Sequence, residues 1–119
     1  MYRFARRIRP SVQAEFDAAH RANAAGDAER AFRHLERAHV MGQAATVLHV
    51  RVHWQMFWWA KGRHDVGEAI GQIWRAAAAA VFTWPGWVPQ GNTGGSNVSG
   101  LQRMPIPPDL QRLINSAYQ

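Results

Sequence analysis

Apolar residues recur at helical spacing in four stretches of this chain, and a helix-stopping residue closes each of them. The breakers are Gly26-Asp27, Gly42-Gln43, Gly62 and Pro85. Glycine ends helices in a left-handed cap, and proline cannot continue one. Ser11, preceded by Pro10, predicts the start of a first helix that runs to residue 25. Val12, Phe16, Ala19 and Asn23 mark its stripe. Asp27 caps a second helix over 28–41, where Ala28, Ala31, Phe32, Leu35 and Ala38 fall at helical spacing. A third covers 45–61, with Leu48, Val52, Met56 and Trp59 on one side. A fourth follows the N-cap Asp65 and carries Ile70, Ile73, Trp74, Ala77 and Val81 as its stripe. A short last helix follows Pro107-Pro108 and uses Leu110, Leu113, Ile114 and Ala117. No run alternates with period two for long. The fold class is therefore all-α, a small antiparallel bundle of four helices plus a short C-terminal one.

The chain has 119 residues, of which 47% are apolar. That suffices for one core and leaves no room for two ordinary domains. We read 1–119 as a single helical domain with a basic arm over 1–9 and an irregular segment over 85–108. The segment holds five of the six prolines and five of the ten glycines. Cysteine is absent, which excludes a disulfide scaffold, a thiolate metal site and a cysteine nucleophile. The net charge is +6, and all but one of the fourteen Lys+Arg residues are arginine. In the arm, Arg3, Arg6, Arg7 and Arg9 interleave with Tyr2, Phe4 and Ile8. No nucleic-acid-binding motif accompanies them, so nucleic acid is not the expected partner. The arm's aromatic residues are expected to dock on the domain while its arginines stay solvated. No apolar run follows the basic start before Glu15 and Asp17, so it does not read as a secretory signal. Glu68 and Arg75 interrupt the most apolar later stretch, which makes a poor membrane span. The expected location is the cytoplasm.

Ala19, Gly26-Asp27, Ala31, Leu35 and Ala38 sit at the spacing of the small and apolar positions in a tetratricopeptide helical hairpin. Residues 11–43 thus resemble a single hairpin of that kind. A wider set of motifs comprises Arg9-Pro10, His34-Leu-Glu-Arg-Ala-His39, Gly42-Gln43, His49-Val-Arg-Val-His53 and Gly91-Asn-Thr-Gly-Gly95. Over nearly the whole chain these resemble the small bacterial family catalogued as domain of unknown function 3703. The resemblance implies no activity, so chemistry must be argued from the residues.

Six histidines lie at 20, 34, 39, 49, 53 and 64. A tight turn through Gly42-Gln43-Ala44 folds the second and third helices antiparallel, which brings His39 level with His49. His53 is one turn further along the same face. Glu36 is one turn back from His39. Glu36, His39, His49 and His53 form a sensible ligand set for a divalent first-row ion such as zinc, nickel or copper. Glu15 or His20 could add a ligand or a supporting contact. Affinity is expected to weaken as pH falls through about 6.5. The alternative is that these histidines pack beside the core and hydrogen-bond one another. No protease motif is present, because His49-Val-Arg-Val-His53 lacks the central Glu.

Trp54, Trp58 and Trp59, with Met56 and Phe57, cover too much of the third helix for one neighbour to bury. This predicts a homo-oligomer or a protein partner; a flat aromatic ligand such as haem is a minority possibility. The segment from Gly91 to Gly95 is read as a loop laid over the bundle. No catalytic arrangement of Ser, His and Asp emerges. Two functions remain open: a small metal-binding helical protein, or a non-enzymatic tetratricopeptide-like interaction module with an aromatic face.

Overall fold

A computed structural model describes residues 2–83, 87, 89–96 and 102–119. It contains five helices and, among the described residues, no strand: α1 (Tyr2–Ala24), α2 (Ala28–Gly42), α3 (Thr46–Gly62), α4 (Val66–Phe82) and α5 (Pro108–Tyr118). The chain is all-α, as expected. The expected breaker Pro85 lies outside the described residues. α1 packs on α2, α3 on α4, and α2 joins the two hairpins through α3. α5 lies against α1 and α2. No helix is long and apolar enough to cross a membrane among the described residues.

The hairpin turns follow from local chemistry. Gly26 takes φ +82°, Asp27 N–H donates to Ala22 O at 2.9 Å and Gly26 N–H to Asn23 O at 3.0 Å. These are the two bonds of a Schellman cap, and glycine occupies its left-handed position without a Cβ clash. The Asp27 and Asp65 carboxylates then cap α2 and α4 by accepting from Arg30 N–H and Glu68 N–H. The α3 end departs from expectation. Gly62 is the last helical residue, and the left-handed position falls to His64 at φ 58°.

Residues 2–9 are not a separate arm. Ser11 does not cap α1, which starts at Tyr2 and runs through Pro10. Phe4, Ile8, Val12 and Phe16 explain this, for they lie four residues apart and all are buried. Proline inside a helix costs about 3 kcal/mol. Burying Phe4 and Ile8 returns roughly 1.5–3 kcal/mol each, which offsets it. Phe4 also stacks on Tyr118 of α5, with centroids 4.2 Å apart. Arg3, Arg6, Arg7 and Arg9 remain exposed. The core continues through Leu35, Met41, Leu48, Val52, Met56 and Leu110.

α4 reverses its expected orientation. Ile70, Ile73, Trp74, Ala77 and Val81 do not form its buried side, and Trp74 is 74% accessible. Its buried residues are Gln72 and Ala79. Among the helices α4 touches only α3. What turns the polar side inward is a hydrogen-bond network around Gln72, described below. On α3, Trp59 leaves the expected aromatic face: it packs on Phe32 and its indole N–H donates to Ala28 O at 2.8 Å. Trp54 and Trp58 stay half exposed.

If residues 2–9 belong to the core, Ile8→Ala should cost about 2–5 kcal/mol in urea unfolding. Arg7→Ala should stay within about 0.5 kcal/mol. Equal, negligible effects would detach the first turns from the domain.

Candidate metal centre

α2 ends and α3 begins around a three-residue turn, and that geometry sets His39 beside His49, with His53 one turn beyond. All three rings are buried. His39 Nε2 lies 2.9 Å from His49 Nε2 and 3.1 Å from His53 Nε2. The three ligand atoms fall within 4.8 Å of one another, so the group can hold a metal ion. A tetrahedral zinc site with bonds of about 2.0–2.1 Å separates its nitrogens by roughly 3.3 Å. The two spacings from His39 need to open by only a few tenths of an ångström.

The outer nitrogens decide where the protons are. His39 Nδ1 faces Asn92 O at 2.6 Å, and a carbonyl only accepts, so Nδ1 carries the hydrogen. His53 Nδ1 faces Gln72 Oε1 at 2.5 Å. The Gln72 amide is fixed in that sense because its Nε2 donates to Glu68 Oε1 at 2.9 Å and Gly94 O at 3.0 Å. His53 Nδ1 therefore donates as well. Neutral His39 and His53 then turn bare Nε2 lone pairs toward each other across 3.1 Å. His49 Nδ1 meets Thr83 Oγ1 at 2.6 Å, and a hydroxyl can take either role. Of the three rings, only His49 is left free to choose its tautomer.

The segment from Pro89 to Ser96 straps this cluster. Gly94 N–H donates to Asn92 Oδ1, and Asn92 Nδ2 donates to Gln102 O at 2.7 Å. Gly94 has φ +85°, and a Cβ there would sit 2.4 Å from the His39 ring. Only glycine can close the strap over His39. Ser96 and Gln72 both hold the Glu68 carboxylate. The loop from Gly91 to Gly95 thus covers the bundle and supplies the carbonyl that orients His39.

The sequence profile of a family described as protein of unknown function DUF3703 matches residues 6–114. The chain belongs to that family. No curated protein matches it, and neither does any solved structure.

The structure does not bring every expected residue of this DUF3703 protein together. Glu36 stands three residues before His39, a rotation that leaves it about 60° away around α2. It faces Thr93, whose hydroxyl bonds it, in a cavity with Arg33 and Arg37, and burial raises its pKa. It is not in the three-histidine group. Glu15 binds His34 at 2.6 Å and Arg37 at 2.8 Å. His20 bonds the Phe16 carbonyl on the surface. Haem does not suit the site either: the three nitrogens crowd one point, and the cavity beside them is about 190 Å³, below the roughly 300–1,000 Å³ of drug-sized ligand sites. The sequence reading missed Gln72, Thr83 and Asn92. Gln72 lies on α4 and Thr83 caps its end, where the apolar stripe is the stronger pattern.

Burial holds the cluster neutral. The His49 pKa is pushed down to about 3, by burial first and then by His53. That of His53 falls to about 4, again chiefly by burial, with Arg75 adding to the effect. His39 lies well below the ordinary value, from burial and its two histidine neighbours. In the unfolded chain each would titrate near 6.5. Between those values the unfolded state binds more protons than the folded one, so stability falls as pH falls. Metal-free protein should lose up to about 1.4 kcal/mol per pH unit for each histidine between about pH 6.5 and pH 4. Urea midpoints from pH 7 to pH 4.5 will measure this. The triple variant His39→Gln, His49→Gln, His53→Gln should flatten the profile, and an unchanged slope would place the sensitivity elsewhere.

Proposed function

We propose that this protein binds one divalent first-row transition-metal ion through Nε2 of His39, His49 and His53. One observation carries the reading: two bare nitrogen lone pairs face each other at 3.1 Å, with a third imidazole at 2.9 Å. Lone pairs so placed repel unless a cation lies between them. A proton is the smallest such cation, but burial and the nearby Arg75 charge oppose it. A divalent ion gains three coordinate bonds where a shared proton gains one hydrogen bond, and those bonds offset its larger desolvation. The oxygens of Asn92 and Gln72 accept from the Nδ1 atoms of His39 and His53, and Thr83 Oγ1 is placed to do the same for His49, as metal-binding histidines require for ring orientation and ligand basicity. An all-imidazole set suits zinc, nickel or copper, with copper favoured on raw affinity. Glu36 is left out of this ligand set.

Calorimetric titration of untagged, metal-stripped protein should give one ion per chain. The double variant His49→Ala, His53→Ala should lose most of the affinity, while His64→Ala should change nothing. Gln72→Leu should weaken binding about 10–100-fold by freeing His53. Because the folded imidazoles resist protonation down to about pH 4, binding should persist at pH 5.5. An exposed histidine pair would already lose its metal there. Equal, weak binding by wild type and the double variant would make the cluster structural.

A second reading, self-association, rests on a separate observation. Trp54, Trp58, Ile70, Ile73 and Trp74 are exposed on the two helices of one hairpin. Large exposed apolar side chains gathered on one hairpin mark an interface. Sedimentation at micromolar concentration should show a dimer or larger assembly, and Trp74→Glu should shift it toward monomer. A monomeric wild type would remove this reading and leave the metal site untouched.

A further inference from the structure

A cavity of about 190 Å³ opens directly on the three histidines. Its walls carry Ala79, Phe82, Trp87 and Pro89, and its polar contributors beside the histidines are Gln43, Arg75 and Asn92. A structural metal site is closed by a fourth protein ligand, whereas this one has three ligands and a void beside them. No carboxylate lines the void among the described residues. Glu68, whose charge reaches His53 and Arg75, is bonded to Gln72 and Ser96 instead. A divalent ion on neutral imidazoles would thus share a mostly apolar cavity with the Arg75 guanidinium, with no carboxylate among the described lining residues to neutralise the ion. An anion must come from outside.

Gln43 adds a second requirement. It is 5% accessible, it stands between this cavity and a second one lined by α5, and among the described residues its Oε1 is the one buried side-chain acceptor without a hydrogen-bond partner. Native proteins rarely leave such an atom unsatisfied, and an exception calls for an explanation. A bare carboxylate such as acetate would answer the metal and Arg75 but offers Gln43 no hydrogen. A ligand with a hydroxyl beside its carboxylate answers all three.

Resting on the metal reading above, we propose that the open coordination position takes a small hydroxycarboxylate. The carboxylate ligates the ion and pairs with Arg75, the hydroxyl donates to Gln43 Oε1, and any apolar substituent packs against Phe82 and Trp87. Arg75 is suited to the role because its planar fork matches a carboxylate and it stays charged when partly buried.

The test uses the full chain loaded with Co²⁺, whose visible spectrum reports coordination, titrated with glycolate and with acetate. Both should shift the spectrum saturably, glycolate about tenfold more tightly, as expected for one added hydrogen bond. Gln43→Leu should bring glycolate down to the acetate affinity. Arg75→Gln should weaken both anions about tenfold or more while Co²⁺ still binds one per chain. Arg75→Lys, which keeps the charge, should restore part of the loss. A cobalt spectrum that neither anion moves at ~10 mM would overturn the open site and leave metal binding standing. Equal affinities in wild type would overturn the role of Gln43. Failure of Co²⁺ to bind at all would remove the metal reading and this inference together.

Discussion

Two imidazole nitrogens, His39 Nε2 and His53 Nε2, face each other 3.1 Å apart in the interior, and neither has a hydrogen for the other. Much of the molecule outside the hydrophobic core is arranged to keep them so. Asn92 must offer its carbonyl to His39, which requires the strap to cross α2. The strap can cross only with glycine at 94, where a Cβ would enter the imidazole ring. Gln72 must offer its oxygen to His53, which requires α4 to turn that residue inward. Glu68 and Gly94 then hold the amide so that it cannot flip. Remove the facing pair and none of these polar placements has a reason.

The cost appears on α4. A buried glutamine amide is unfavourable unless each of its groups is bonded. Here the oxygen accepts from His53 and the nitrogen donates twice. With Gln72 inward, the helical period sends Ile70, Ile73, Trp74 and Val81 outward. Exposing such side chains forgoes roughly 1.5–3 kcal/mol apiece, more than one hydrogen-bonded amide returns. Within the chain that loss is set against the whole network that joins Gln72 to His53, Glu68 and Gly94, and the network decides the rotation. Two things would strengthen its hold: an ion bound at the cluster, or a partner covering the outer face. The two proposed properties of the protein therefore support the same orientation.

The helices were legible where local chemistry decides them. Asp27, Asp65 and Gly26 act as the caps their types predict, and Leu48, Val52 and Met56 are buried as their spacing requires. Pro10 misled because a local rule against proline met four buried residues at four-residue spacing, and burial outweighed it. The α4 stripe misled for a related reason. Periodicity reports which side of a helix is apolar, and that side turns inward only when apolar burial outweighs every competing contact. In α4 a polar contact from a distant histidine set the rotation. His39, His49 and His53 were legible because they lie on one hairpin, with fixed registers on both arms. Thr83, Gln72 and Asn92 come from segments whose placement depends on the cluster itself, so no local pattern marks them.

Glu36 does not share the bearing of His39. A spacing of three residues puts two side chains on neighbouring, not identical, bearings of a helix. His39 points into the cavity shared with α3 and α4, whereas Glu36 meets Thr93 on the outer flank of the strap. Placing a carboxylate among the imidazoles would have closed the coordination sphere and neutralised half the ion's charge. Its displacement leaves the group all-imidazole, with a cavity at the fourth position and an arginine on the cavity wall. A fully liganded carboxylate site stores an ion. With an ion bound, the proposed three-nitrogen site with space beside it would be able to hold something else against that ion.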